Sequence, residues 1–405
     1  EALALLQAAT GTRSVRPALA APAAVERAWL RAYPPRGGRS QLDGLLESLV
    51  AARGSDLHLS AGAPPTLRVN GTLRPVAGAA TLDGGSCREL VLAGMSGGGR
   101  ERFERDLELD ATHVVAGIGR FRLNAFMQQG NVSGVLRHIP LDIPLLATLG
   151  LPPSVAELVT APRGLVLVTG PTGSGKSTTL ASLVDRINRT RAVHIVTVED
   201  PIEYVHEHHS GVVNQREVGT DTQSFTSALK HVLRQDPDVI LIGELRDLET
   251  ISIALTAAET GHLVLATLHT QSAAQAVDRI IDVFPPHQQQ QIRTQLSSTL
   301  HGVVSQQLVP TTDGSRVAAA EVLIGTTATR SLIRDGKTYQ IPSVMQSGSA
   351  HGMQTMDQSL ASLVRAGRVT MATAMEHCHD RDGLRQLVGA RQVDARAPLS
   401  STGSR

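Results

Sequence analysis

Residues 170–178 read GPTGSGKST, and no other stretch constrains the fold as strongly. An apolar run, Leu165-Val166-Leu167-Val168, stands before it, and a helical pattern, Thr179-Leu180-Ala181-Ser182-Leu183-Val184, follows. Strand, glycine-rich loop and helix in that order are what a phosphate-binding P-loop requires. Glycine lets the backbone N–H groups wrap around phosphate oxygens, and the new helix adds its positive end. Gly170, Pro171, Thr172, Gly173, Ser174, Gly175, Lys176, Ser177 and Thr178 are therefore the candidate nucleotide contacts. Lys176 is expected to reach the β- and γ-phosphates, and the Ser177 hydroxyl to ligate Mg²⁺. A chance match in a chain with 37 glycines is the competing reading, and the flanking strand and helix weigh against it.

The surroundings of the loop repeat its pattern. Strands are expected at 165–169, 195–198, 239–242 and 263–267, each apolar nearly throughout, as strands covered on both faces are. Helices fall between them at 176–187, 225–234 and 248–259. This alternation gives an α/β fold with a doubly wound, mostly parallel sheet. Beyond Pro285-Pro286 the chain is read as mostly helical to about His379. Upstream, Leu42, Leu45, Leu46, Leu49 and Val50 mark an amphipathic helix. A strand at 56–59, a hairpin around Asn70-Gly71, a helix at 87–95 and strands at 120–126 and 132–138 complete a smaller α+β domain. The expected divisions are a disordered extension over 1–39, the α+β domain over 40–138 and a proline-marked linker over 139–150. The P-loop domain with a helical C-terminal part then covers 151–385, and a disordered tail 386–405.

Three further stretches bring chemistry to the loop. Residues 195–203, IVTVEDPIE, deliver Glu199, Asp200 and Glu203 at a strand end, where ligands sit in such sheets. Glu203 is the candidate catalytic acid, and Glu199 and Asp200 are candidate magnesium or structural acids. Residues 234–247, RQDPDVILIGELRD, form a Walker B-like strand ending in Gly243-Glu244. A carboxylate there holds Mg²⁺ through water and orients the attacking water. Arg246 and Asp247 beside it read as an ion pair. Residues 260–270, TGHLVLATLHT, place His269 after a strand, as a γ-phosphate sensor, and His262 before it, as a second candidate. His206, His208 and His209 lie in a polar loop with no evident further ligands, which argues against a metal. No arginine finger lies near the loop in sequence, so Arg120, Arg122 and Arg137 are the candidates, from the same or a neighbouring subunit. Arg120 and Arg122 share one strand face.

Composition narrows the partners. Formal charge is +1 and aromatic residues are 2% of the chain, which argues against a base-stacking nucleic-acid platform. Cys87 and Cys378 are the two cysteines, without CxxC spacing, and suit a reducing cytosol. No uninterrupted apolar stretch is long enough to span a bilayer. The first residue is Glu1, from which the natural start is expected to lie elsewhere.

The four boxes, in this order, resemble those of the type II/IV secretion ATPases. Within that superfamily, SDLHLSAGAPPTLRVNG at 55–71, RFRLNAF at 120–126 and VVNQRE at 212–217 are similar to the PilT-type pilus retraction (twitching motility) ATPases. The resemblance runs from about residue 40 to about residue 380. It implies a PAS-like N-terminal domain joined to a RecA-like ATPase core, in a homo-hexameric ring with ATP held between domains. It implies Glu203 and Glu244 as catalytic glutamates, Lys176 as the Walker A lysine, and His262 and His269 as the His-box histidines. Arg120, Arg122 and Arg137 are implied as arginines that reach the phosphates. The implied cofactors are ATP and Mg²⁺. The implied partners are an inner-membrane pilus platform protein and an accessory retraction ATPase, with no nucleic acid. The implied location is cytoplasmic, at the inner face of the cytoplasmic membrane.

Three departures stand out. Gly130 occupies a position where the family commonly carries arginine. The retraction motif, typically AIRNLIRE, reads ATRSLIRD at 328–335, and the extension over 1–39 has no usual counterpart. The alternatives are an assembly, secretion or accessory ATPase of the same superfamily, and a regulatory ring that binds ATP with little hydrolysis, which Gly130 favours. A RecA-like nucleic-acid motor is a further reading that low aromatic content and balanced charge oppose.

Overall fold

Ser40 opens the first helix of the computed structural model, which describes residues 40–69, 71–139 and 142–394. Its Oγ accepts from Asp43 N at 3.1 Å, and Asp43 Oδ2 accepts from Ser40 N at 3.0 Å. This reciprocal cap satisfies two backbone donors that a helix start otherwise leaves open. The expected extension over 1–39 lies outside the described residues, as does 395–405. The chain divides into two units, one ending at Pro140 and one beginning at Leu141.

In the first unit the order is α1 (Gln41–Ala51), β1 (Asp56–Leu59), β2 (Thr66–Val69), β3 (Thr72–Pro75), α2 (Gly84–Ala93), α3 (Gly97–Asp106), β4 (Glu108–Val115), β5 (Gly119–Gln128) and β6 (Asn131–Ile139). The strands form an antiparallel sheet in the order β3-β2-β1-β6-β5-β4. Leu42, Leu46 and Leu49 line one face of α1 and join Leu57, Phe121, Leu123 and Leu136 in the core. Alternation along β5 buries Phe121, Leu123 and Ala125 and turns Arg120 and Arg122 to the other face. The β5–β6 turn closes at Gln128 and Asn131, with Gln129 and Gly130 at φ +50° and +76°. That is the type I′ pattern, whose second position glycine occupies without strain.

In the second unit the strands are β7 (Gly164–Thr169), β8 (His194–Glu199), β9 (Val212–Glu217), β10 (Val239–Ile242), β11 (Leu263–Leu268), β12 (Leu300–Pro310) and β13 (Arg316–Ile324). The helices are α4 (Pro153–Glu157), α5 (Lys176–Thr190), α6 (Phe225–Val232), α7 (Leu248–Glu259), α8 (Ala273–Asp282), α9 (Pro286–Thr299), α10 (Thr327–Arg334), α11 (Ile341–Ser347), α12 (Met356–Arg365), α13 (Met371–His377) and α14 (Arg381–Asp394). The sheet order is β13-β12-β7-β11-β10-β8-β9, parallel except for the β12–β13 pair. Successive strand residues feed opposite cores. Leu165, Leu167, Ile240 and Ile242 join helices α7 to α9 on one side, and Val166, Val168, Val239 and Leu241 join α5 on the other. Each buried leucine or isoleucine contributes about 1.5–3 kcal/mol, so continuous apolar strands suit only a sheet covered on both faces.

Two expectations need correction. The stretch after Pro286 is helical except at β12 and β13, which form a long antiparallel hairpin against β7 that the helical reading did not contain. The expected tail from 386 is helical as far as Asp394, in α14. Leu384, Leu387 and Val388 pack that helix against the core around Met356 and Leu360, so it has a face to bury.

Candidate active site

The P-loop joins β7 to α5. Gly170, Gly173 and Gly175 have φ of +141°, +78° and +89°. A Cβ on Gly170 would run into the Gln306 backbone oxygen and come within 2.6 Å of Ser174 Oγ, so the loop closes only around glycine. Lys176 is buried, and its Nζ donates to Gly170 O at 2.9 Å and Pro171 O at 3.0 Å. Burial pulls its ammonium below the usual pKa, against the opposing charges of Glu244 and Glu203. Ser174 Oγ is buried without a protein partner inside the loop. A cradle that only glycine fits, with a buried cation and an open hydroxyl, matches the phosphates of a nucleotide.

From Lys176 a polar chain crosses to the Walker B strand. His269, at the end of β11, has Nδ1 3.5 Å from Lys176 Nζ and Nε2 3.1 Å from Glu244 Oε1. Lysine offers only donors, so Nδ1 accepts and Nε2 carries the proton toward the carboxylate. Glu244 is half-buried, and its Oε2 accepts from Arg246 Nε at 2.9 Å. The tip is held by Gly243 N donating to Val198 O at 2.8 Å and by Leu245 N donating to Thr267 O at 3.1 Å. The parallel strands β8, β10 and β11 thus present Glu199, Glu244 and His269 along one sheet edge.

The loop after β8 holds the remaining acids. Glu199 accepts from Thr197 Oγ1 at 2.6 Å and Gln215 Nε2 at 3.1 Å. Burial, with a smaller push from Glu203, raises its pKa to about 6. Glu203 is exposed, and the next residue, Tyr204, meets Thr178 Oγ1 on α5 through its hydroxyl at 2.9 Å. Asp200 is exposed before Pro201, and the peptide between them is cis.

Not every candidate gathers here. His262 stands before β11, and its carbonyl accepts from Gly164 N at 3.0 Å, at the start of β7. Six strand residues, about 20 Å, separate it from His269. Its Nδ1 donates to Ala257 O at 3.0 Å and closes the end of α7, so within one chain it is not part of the nucleotide site. Arg246 pairs with Glu244 rather than Asp247, whose oxygens cap α7 at Thr250 N (2.8 Å) and Thr250 Oγ1 (3.0 Å). His208 Nδ1 accepts from Val213 N, and His209 stands 3.9 Å from Asp185. Among the described residues, no group of three or more His, Cys, Asp or Glu gathers as a metal site. Burial lowers the His206 pKa to about 4.

Arg120, Arg122 and Arg137 belong to the first unit. Arg122 and Arg137 are register partners across β5 and β6, and Arg120 is two residues along the same face. Arg137 Nε donates to Asp56 Oδ1 at 2.8 Å, and Arg122 lies 3.3 Å from Asp110. Asp56 is 3% exposed. Burial works against its charge, but hydrogen bonds from Ser55 and Arg137 outweigh it and leave the carboxyl below its usual pKa.

Two features of the site carried no sequence signal. Gln306, on the hairpin strand read as helix, donates to Ser174 O at 2.7 Å and accepts from Thr179 Oγ1 at 2.9 Å. Beside it a cavity of about 260 Å³ opens against the first turn of α5, lined by Leu149, Thr178, Thr179, Leu308, Arg316 and Val317. An apolar wall with a few polar groups next to a phosphate loop is the setting a nucleoside needs.

Comparison with known proteins agrees with this geometry. The family described as Type II/IV secretion system protein matches residues 145–388. The Pseudomonas aeruginosa protein named Type IV pilus retractation ATPase PilT is 50% identical over 322 residues, covering 80% of this chain and 93% of its own. The Type IV pilus ATPase PilU of the same organism is 44% identical over 349 residues, covering 86% and 91%. The crystal structure of the pilus retraction motor PilT with bound ADP superposes with a TM-score of 0.81 at 47% identity, covering 86% of this chain and 99% of that one. By sequence and by fold, the chain belongs to the type II/IV secretion ATPases, in their PilT-type pilus retraction branch.

Proposed function

We propose that the chain hydrolyses ATP with Mg²⁺ as one subunit of a homo-hexameric motor that withdraws pilin from the base of a type IV pilus. The observation that carries this reading is the continuous polar chain from Lys176 through His269 to Glu244. It couples the phosphate-binding cation to the carboxylate that orients the attacking water. When bound, Mg²⁺ offsets the charge of the phosphates. Ser177 and, through water, Glu244 would hold it from the protein side. Glu203 is the second acid of the site. The cavity beside Gln306 takes the base and ribose. Motion comes from the differing nucleotide affinities of open and closed subunits. The motor docks on a membrane platform protein at the inner face of the cytoplasmic membrane. No helix among the described residues is long and apolar enough to cross a membrane.

Glu244→Gln is expected to lower kcat by about 100-fold or more while nucleotide affinity changes little. Negligible turnover in both wild type and variant would leave the regulatory ring instead. Deleting the gene in its host should give surplus pili that do not retract, and bald cells would overturn the retraction reading. The longer stretch matched by PilU supports a second reading as an accessory pilus ATPase. Restored twitching in a strain without its own retraction ATPase separates the two, because an accessory enzyme does not restore it alone.

A further inference from the structure

Glu203 is exposed on a loop, yet a catalytic carboxylate has to be held in place. The backbone of the residue on either side of it, one peptide group further out, is fixed by one strand. Glu217 Oε2 accepts from Ile202 N at 3.1 Å, and Gln215 Nε2 donates to Tyr204 O at 2.8 Å. Gln215 Oε1 also accepts from His206 N at 2.7 Å. Gln215 and Glu217 lie two residues apart on β9, so they project from one face. β9 ends the sheet beside β8, with Thr197 opposite Gln215 and Glu199 opposite Glu217, so the loop leaving β8 folds back over that face. Glu217 is 5% exposed, and Thr220 Oγ1 donates to its other oxygen at 3.3 Å. Gln215 also donates to Glu199, so one amide ties both ends of the loop. At Tyr204 the loop is anchored a third time, to Thr178 on the P-loop helix.

We propose that Gln215 and Glu217 are positioning residues that clamp the backbone on both sides of Glu203 and thereby set where its carboxylate stands in the ATP site. Their side-chain bonds go to the loop backbone, to Glu199 and to Thr220. The inference rests on the reading of Glu203 as a catalytic acid. Without the clamp, Glu203 keeps its charge but loses its place, so turnover falls while nucleotide binding stays.

The test is steady-state and single-turnover ATPase activity of the full chain, with fluorescent ADP to measure binding. Gln215→Met and Glu217→Ala are expected to lower kcat by about tenfold or more, with KM and ADP affinity within about threefold of wild type. Glu217→Gln keeps an oxygen for Ile202 N–H and is expected to stay within about threefold of wild type. In a Glu203→Gln background the same changes should cost less than about twofold more, because the group they position is gone. Clamp variants that turn over like wild type overturn the proposal, as does an equal loss with and without Glu203. If Glu217→Ala fails to fold by circular dichroism, Gln215→Met alone carries the comparison, with and without Glu203→Gln. A Glu203→Gln variant as active as wild type would instead overturn the role of Glu203, an outcome distinct from a failed clamp.

Discussion

Lys176 holds its own loop closed. Its ammonium donates to two backbone oxygens of the P-loop. Burial makes that ammonium an expensive charge, which Glu244 and Glu203 partly stabilise and a phosphate would stabilise more. Its place in the loop was legible because the spacing of GPTGSGKST sets the lysine at the start of the helix. Within one chain His262 stands apart from His269, because a strand puts its two ends on opposite edges of a sheet and a motif read as a line of letters hides that. Glu199 gives a prediction at this scale. Its pKa is raised from 4.5 to about 6, so its contribution to stability is complete below pH 4.5 and is lost as the pH rises through 6. Relative to wild type, Glu199→Gln should therefore gain stability between pH 4.5 and 7, by on the order of 1–2 kcal/mol. Urea unfolding of both proteins across that range measures it, and a constant difference would contradict the assignment.

At the scale of elements, strands β7, β8, β10 and β11 were readable as runs apolar nearly throughout, since each is covered on both faces. The β12–β13 hairpin was not. Helix α9 passes into β12 from Thr299 to Leu300 with no glycine or proline between them, so no punctuation marks the change. β12 also lacks alternation, because it is an interior strand buried on both sides from Gly302 to Gln306. Helix α3 was missed for the opposite reason. It begins with Gly97-Gly98-Gly99, a run that reads as loop, and is set by the Ser96 cap and the buried Phe103. The cost of missing β12 was Gln306. Gln306→Ala removes two buried hydrogen bonds, one to the P-loop and one to α5, and should destabilise the protein by about 1–3 kcal/mol. ADP affinity should fall with it. Unchanged affinity in an equilibrium titration would show that the latch does not shape the loop.

For the whole molecule, phosphoryl transfer uses a further positive charge beside the P-loop lysine. Arg246, the arginine seen beside the acids of the site, is spent on Glu244. The first unit offers Arg120, Arg122 and Arg137 on one face, with Arg137 steered by the buried Asp56. Arg137→Ala is expected to slow hydrolysis by at least about 100-fold while ADP still binds. If neighbouring subunits share sites, mixing Arg137→Ala with Lys176→Ala subunits should regain part of the wild-type rate. A mixture no more active than its parts would confine each site to one chain. Gly130→Arg tests the departure from the family. The position has open space but φ +76°, so the variant should fold with about 1–2 kcal/mol less stability. A raised turnover would show that an arginine at this position takes part in hydrolysis, and an unchanged one that it does not.

The β12–β13 hairpin has one more consequence. Gln306 grips the P-loop, Ser305 Oγ donates to Gln271 O at 2.9 Å, and Glu321 on β13 accepts from Ala273 N at 2.6 Å. The first contact holds the floor under Lys176, and the other two hold the segment just past His269. A single two-stranded bracket therefore spans both walls of the site. A load carried along that hairpin is expected to reach the lysine and the histidine together, as the two jaws of a fixed wrench move with its handle.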